Sequence, residues 1–112
     1  MFNTFNKNIL LIDKSVNFEG SINSNNHIFL LGKVKGTITS AKNIYVLKSA
    51  KVESSLVASN IQIFGVVEGD VSASNKVLIS EEGRVFGNVK CQSLKLLEGA
   101  LYSGELSIDK TS

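Results

Sequence analysis

Six positions set in register constrain this chain more than any other feature: Gly20, Gly36, Ser54, Gly69, Gly87 and Gly104, spaced 16, 18, 15, 18 and 17 residues apart. Two residues after each anchor stands an aliphatic: Ile22, Ile38, Leu56, Val71, Val89 and Leu106. Two further on comes a small residue, Ser24, Ser40, Ala58, Ala73 or Cys91, a rule the last repeat breaks with Ile108. A polar corner follows, such as Ser24-Asn25-Asn26, Lys42-Asn43, Ser59-Asn60 or Ser74-Asn75. After it come two aliphatics with one residue between: Ile28/Leu30, Ile44/Val46, Ile61/Ile63, Val77/Ile79 and Leu94/Leu96. A last apolar residue precedes the next anchor by two: Val34, Val52, Val67, Val85 and Tyr102. The segment before Gly20 matches the second half of a repeat, with Leu10/Ile12 and Phe18.

One-in, one-out alternation is a strand with a single buried face. Each repeat holds three such short stretches separated by turn residues. Three strands and three corners in about 17 residues make one coil of a parallel β-helix. Equivalent aliphatics then stack into ladders at the strand spacing of about 4.8 Å. The expected fold is all-β: a right-handed, roughly triangular solenoid of about six coils. Gly and Asn are expected at the corners because they tolerate φ > 0. The absence of Pro agrees with continuous hydrogen-bonded strands. The corner before each anchor alternates in length. From inner aliphatic to anchor it is 6 residues at Leu30–Gly36 and Ile63–Gly69, but 8 at Ile12–Gly20, Val46–Ser54, Ile79–Gly87 and Leu96–Gly104. The two extra residues should bulge outward. A left-handed hexapeptide helix of the acyltransferase kind needs a stricter period than these spacings keep. A β-sandwich would not need one residue class at one place in every repeat.

Composition narrows the function. A net charge of +2 is far from that of a dedicated nucleic-acid binder. One Cys and one His leave no intramolecular disulfide and too few soft ligands for structural zinc. Cys91 falls in the small inward slot and reads as core, with no His at a matching position. His27 precedes the inner Ile28 and should point outward. Glu81-Glu82 lies in a corner loop and reads as a solvated pair. The glycines form neither G-x-G-x-x-G nor a Walker pattern, so no phosphate cradle, catalytic residue, cofactor or metal is expected. The longest early apolar run, Ile9–Ile12, is too short for a membrane span or a signal-peptide core. With a lone thiol as well, the chain is expected in the cytoplasm. Charge is segregated: Gly20 to Val52 holds five Lys and no acid, whereas Glu53 to Asp109 holds eight acids and four bases. The two ends of the rod then differ in sign, so any joining between its ends should depend on salt, and Lys33 and Lys35 are candidates for a basic strip facing lipid.

A solenoid leaves a full coil of unpaired N–H and C=O groups at each end, which natural solenoids cover with polar caps. No capping segment is legible here. The ends therefore read as binding sites, with end-to-end polymerisation their natural use. At the N-terminal end the candidates are Ile9, Leu10, Leu11, Ile12 and Phe18; at the C-terminal end they are Leu96, Leu101, Tyr102, Leu106 and Ile108. Leu11 and Leu101 should point outward.

The ordered set Gly20, Gly36, Gly69, Gly87 and Gly104, each with an aliphatic two residues on, resembles the bactofilins, a bacterial polymer-forming cytoskeletal family. So does Glu98-Gly99-Ala100-Leu101-Tyr102-Ser103-Gly104. Ser54 departs from the pattern and should at most loosen one corner. The resemblance implies a right-handed β-helix that forms filaments without nucleotide, like end joining like end. It further implies a non-enzymatic scaffold on the inner face of the cytoplasmic membrane that recruits cell-wall enzymes and organises cell shape. Met1-Phe2-Asn3-Thr4-Phe5-Asn6-Lys7 resembles the membrane-targeting peptides of some bactofilins, with Met1, Phe2, Phe5 and Lys7 as its contacts. Two Phe supply about 3–6 kcal/mol at best and one Lys about 1. Binding would be weak for a monomer and multiplied along a filament. The expected organisation is a tail over 1–8, a β-helix over 9–106 and a short tail over 107–112. The competing expectation is a non-polymerising β-helix that docks a cell-wall enzyme.

Overall fold

The computed structural model describes residues 9–108. Thirteen strands and no helix make up this region. In chain order they begin with β1 (Ile9–Ile12), β2 (Asn17–Ser24), β3 (His27–Leu30), β4 (Lys33–Ser40) and β5 (Asn43–Val46). Next come β6 (Lys51–Ile63), β7 (Val66–Glu68), β8 (Val71–Ile79) and β9 (Arg84–Phe86). The last are β10 (Val89–Cys91), β11 (Ser93–Leu96), β12 (Leu101–Ser103) and β13 (Leu106–Ile108).

Every pairing is parallel, and the pairs stack into three sides. Side one is β1, β3, β5, the end of β6, the end of β8, and β11. Side two is the start of β2, of β4 and of β6, then β7, β9 and β12. Side three is the rest of β2 and β4, the middle of β6, the start of β8, β10 and β13. This is the expected β-solenoid of about six coils, and the registers reproduce the ladders read from the repeat. On side one, Ile28 faces Ile44, Ile44 faces Ile61, and Ile61 faces Val77. On side three, Ile38 faces Leu56, then Val71, then Val89. These side chains are essentially inaccessible in the central coils. Each contributes about 1.5–3 kcal/mol by leaving water. The last strand carries the ladder to Ile108, which faces Cys91, two residues into the segment expected as C-terminal tail.

The long corners bulge as expected. Each closes with a backbone hydrogen bond from its fourth residue to its first: Val16 to Asp13, Ala50 to Leu47, Gly83 to Ser80, and Ala100 to Leu97, at 2.9–3.0 Å. The two residues between, such as Lys14-Ser15 and Lys48-Ser49, are exposed.

The anchor glycines face one another through the stack. Gly36 has φ +126°, and a Cβ on it would lie 1.8 Å from the Gly20 carbonyl oxygen. That corner has room for hydrogen only and needs a backbone L side chains rarely adopt. Ser54 is accommodated differently. No residue other than glycine has positive φ among the described residues, and β6 runs through Ser54 without a break. The cost appears in its Oγ, which is buried without a partner.

The expected role of asparagine is overturned by the same dihedrals. The corner Asn residues do not use φ > 0; they stack through their amides. Asn75 Nδ2 donates to Asn60 Oδ1 (2.9 Å), Asn60 Nδ2 to Asn43 Oδ1 (3.0 Å), and Asn43 Nδ2 to the Tyr45 hydroxyl (2.9 Å). A register shift after Ala58 leaves this polar ladder intact.

Gly36→Ala should destabilise the fold by roughly 3 kcal/mol or more, from left-handed strain plus the carbonyl contact. Ser54→Gly, which removes an unsatisfied buried hydroxyl but frees the unfolded chain, should stay within about 1 kcal/mol of wild type. Denaturant unfolding at matched protein concentration measures both.

Candidate functional site

The two ends of the stack are where its construction rule stops. β11, β12 and β13 each pair on one side only, as do β1 and β2. Their outer N–H and C=O groups face away from the solenoid. The inward ladders lose their upper neighbour at the same level. Leu96 continues the column of Ile63 and Ile79 but is 49% exposed where Ile79 is 0%. Leu106 stands on Val89 and is 44% exposed against 1%. Leu101 and Ile108 are exposed to a similar degree.

The N-terminal end is better covered. Ile12 is only 7% exposed, and Leu10 and Phe18 are partly buried against the core. Its open groups are Ile9, Leu11 and Val16. Leu11 and Leu101 both reach solvent, as the alternation requires. Of the ten exposed large hydrophobics among the described residues, eight lie in the terminal coils: Ile9, Leu11, Val16, Leu96, Leu97, Leu101, Leu106 and Ile108. The structure thus groups the sequence-derived candidates at two opposite ends. It adds Val16 and Leu97, which sit in long corners, where the repeat pattern assigns no core role. The available signal was in the repeat itself, since Leu97 follows Leu96 as Leu31, Leu47 and Phe64 follow Leu30, Val46 and Ile63.

Tyr102 ties the last coil together. It lies inward on side two, above Val85, and its hydroxyl donates to the Glu105 carbonyl oxygen. Burial, with the Glu105 charge adding, pushes its phenol above the ordinary value.

The sides carry mixed charge. Lys35 stands between Glu19 and Glu53 in one outward column and lies 3.9 Å from the Glu53 carboxylate. The strip expected from Lys33 and Lys35 is therefore not uniformly basic. Glu82 pairs with Lys48 at 3.1 Å across two corners. Cys91 fills the small inward slot, fully buried, and that burial raises its thiol above the usual value. His27 is half-buried, with its Nδ1 unpartnered and its ring 6.3 Å from that of Tyr45. No cluster of three His, Cys, Asp or Glu side chains suited to a metal occurs among the described residues. No helix among them is long and apolar enough to cross a membrane. Met1, Phe2, Phe5 and Lys7 lie outside the described residues.

The sequence model of the bactofilin family, described as polymer-forming cytoskeletal, matches residues 10–107. The chain is 31% identical over 99 residues to bactofilin BacO of Myxococcus xanthus strain DK1622, an alignment covering 88% of this chain and 79% of that protein. It is 24% identical over 98 residues to bactofilin BacP of the same organism, covering 88% of this chain and 41% of that longer protein. No solved structure matches the chain significantly.

The raised, buried thiol predicts slow chemistry. At pH 8 Cys91 stays protonated and shielded, so a thiol-reactive dye should label the native protein at least about tenfold more slowly than the urea-unfolded chain. The native rate should climb only as pH passes the ordinary thiol range. Stopped labelling followed by mass spectrometry reads both.

Proposed function

Because the chain belongs to the bactofilin family, a polymer-forming cytoskeletal family, we propose that it is a filament subunit that assembles end to end without nucleotide, like end joining like end. The observation that carries this reading is the opening of the core at the last coil, where ladder residues inaccessible elsewhere stand 44–49% exposed at Leu96 and Leu106. A joint over such an end re-covers several half-exposed aliphatics, each worth about 1 kcal/mol. It also satisfies the row of strand groups that a lone subunit presents. Joining like ends is supported by their asymmetry. The C-terminal end is much more open than the N-terminal end, so a two-fold joint sets apolar surface against equal apolar surface. A head-to-tail joint would leave part of the wider patch wet.

The proposed site is Leu96, Leu101, Tyr102, Leu106 and Ile108 at one end, and Ile9, Leu10, Leu11, Ile12 and Phe18 at the other. The finer setting rests on the family resemblance and on the sequence of residues 1–8. In this reading the filaments lie on the inner face of the cytoplasmic membrane through Met1, Phe2, Phe5 and Lys7. They serve as a scaffold for cell-wall machinery and cell shape.

Leu106→Arg places a charge where a joint would bury it, at a cost far above the gain from one aliphatic. Purified wild-type protein without nucleotide or metal should show straight filaments in negative-stain electron microscopy. The variant should remain as small particles with an unchanged β-type circular dichroism spectrum. Variant filaments at the wild-type concentration would sink the end-joining site, and discrete wild-type particles at high concentration would favour a docking module.

Phe2→Ser filaments should sediment with anionic liposomes much less than wild-type filaments. Unchanged sedimentation would remove the tail from the membrane reading.

A further inference from the structure

The three sides of the solenoid differ in what they present outward. Side three carries mostly short polar side chains, Ser21, Asn23, Thr37, Thr39 and Ser55, with one exposed aliphatic, Val57, beside Thr39. Side two carries charges of both signs, with Lys33 beside Lys51 and Lys35 beside Glu53. Side one is different in its N-terminal half. There Leu11 stands next to Phe29, and Phe29 next to Tyr45. The two rings stack with centroids 4.6 Å apart and planes 19° from parallel. Leu11, at 56%, is the most exposed large hydrophobic among the described residues.

The adjoining corner continues this apolar surface. Leu31, Leu47 and Phe64 follow the inward residues Leu30, Val46 and Ile63. They line a shallow open groove together with Lys14, Lys48 and Ser49. Both lysines occupy the outermost positions of long corners and are exposed. The same corner turns acidic in the C-terminal half, at Glu81 and Glu82.

We propose that this ridge, Phe29 and Tyr45 with Leu31, Leu47 and Phe64, is a second lipid contact that lays one edge of the rod on an anionic bilayer. Aromatic and aliphatic side chains flanked by lysine are what a membrane–water interface accepts. Phe29 and Tyr45 lie on strands paired on both sides, so this surface offers side chains and no open strand edge, which suits a bilayer surface. Lys48 is held only by an exposed pair with Glu82 at 3.1 Å. Such a pair is weak, so the ammonium is free to turn to lipid phosphate. Residues 1–8 join the solenoid at Ile9, on this same side, next to His27. The ridge thus rests on the membrane reading of that segment and adds an orientation to it: one side of the filament down, the polar side three away.

The chain has no Trp, so Phe64→Trp introduces a single reporter on the ridge. Filaments of this variant are mixed with vesicles of phosphatidylglycerol and phosphatidylcholine, with or without bromine on the acyl chains. Sedimentation with at least about twofold stronger quenching by the brominated lipid is the expected result. Sedimentation with no extra quenching overturns the ridge and leaves the N-terminal segment as the anchor. Failure to sediment overturns both. A blue-shifted emission that develops on assembly before any vesicle is added assigns the ridge to a second copy of the chain, and overturns the lipid contact. Lys48→Glu, exposed and in a corner away from both terminal coils, provides the second arm. Filaments should form normally but bind these vesicles about tenfold more weakly, and unchanged binding would count against the ridge.

Discussion

Each inward side chain of the central coils is buried by its own equivalents one coil above and below. That single constraint, imposed by in-register parallel pairing, organises the rest. It explains why the same residue class recurs at the same position. A polar residue in the Ile28–Ile44–Ile61–Val77 column would be unsatisfied against two aliphatics at once. It also explains why the core has no centre in the ordinary sense. Every coil is covered by its neighbours and covers them in turn, so cohesion runs along the axis.

The corners obey the same stacking rule by other means. At the anchor corner the backbones of successive coils approach so closely that a glycine carbonyl occupies the space of the next residue's Cβ. At the opposite corner the asparagine amides bond to one another along the axis. Both devices convert a turn into a ladder. Ser54 shows the tolerance of the scheme: one coil passes the corner without left-handed backbone, and the strain is exchanged for a buried hydroxyl with no partner.

A stack held this way has no intrinsic reason to stop. The terminal coils are chemically ordinary members of the ladder, and their exposure follows only from the missing neighbour. The candidate polymer site is therefore the core itself, cut open. This is why Leu96 and Leu106 were legible as site residues from their place in the repeat. Val16 and Leu97 were not, since they stand outside the inward columns that the repeat defines. The inequality of the two ends was equally illegible, because the repeat assigns the same classes of inward residue to both. The sorting of outward residues into an apolar ridge, a mixed-charge side and a hydroxyl side appears only when the sides are assembled. Alternation along one strand says that Phe29 and Tyr45 point out, but not that they stack on each other.

The sequence by itself determined the coil, its three strands, the inward ladders, the anchor corner and the long and short corner alternation. All of these are periodic, and periodicity survives in one dimension. The tertiary structure decided what is not periodic: the unequal covering of the ends, the detour at Ser54, the amide ladder in place of left-handed asparagine, and the continuity of the ridge across a corner. These depend on which side chain stands above which in neighbouring coils. A spacing that varies from 15 to 18 residues leaves that registry open until the backbone hydrogen bonds close it.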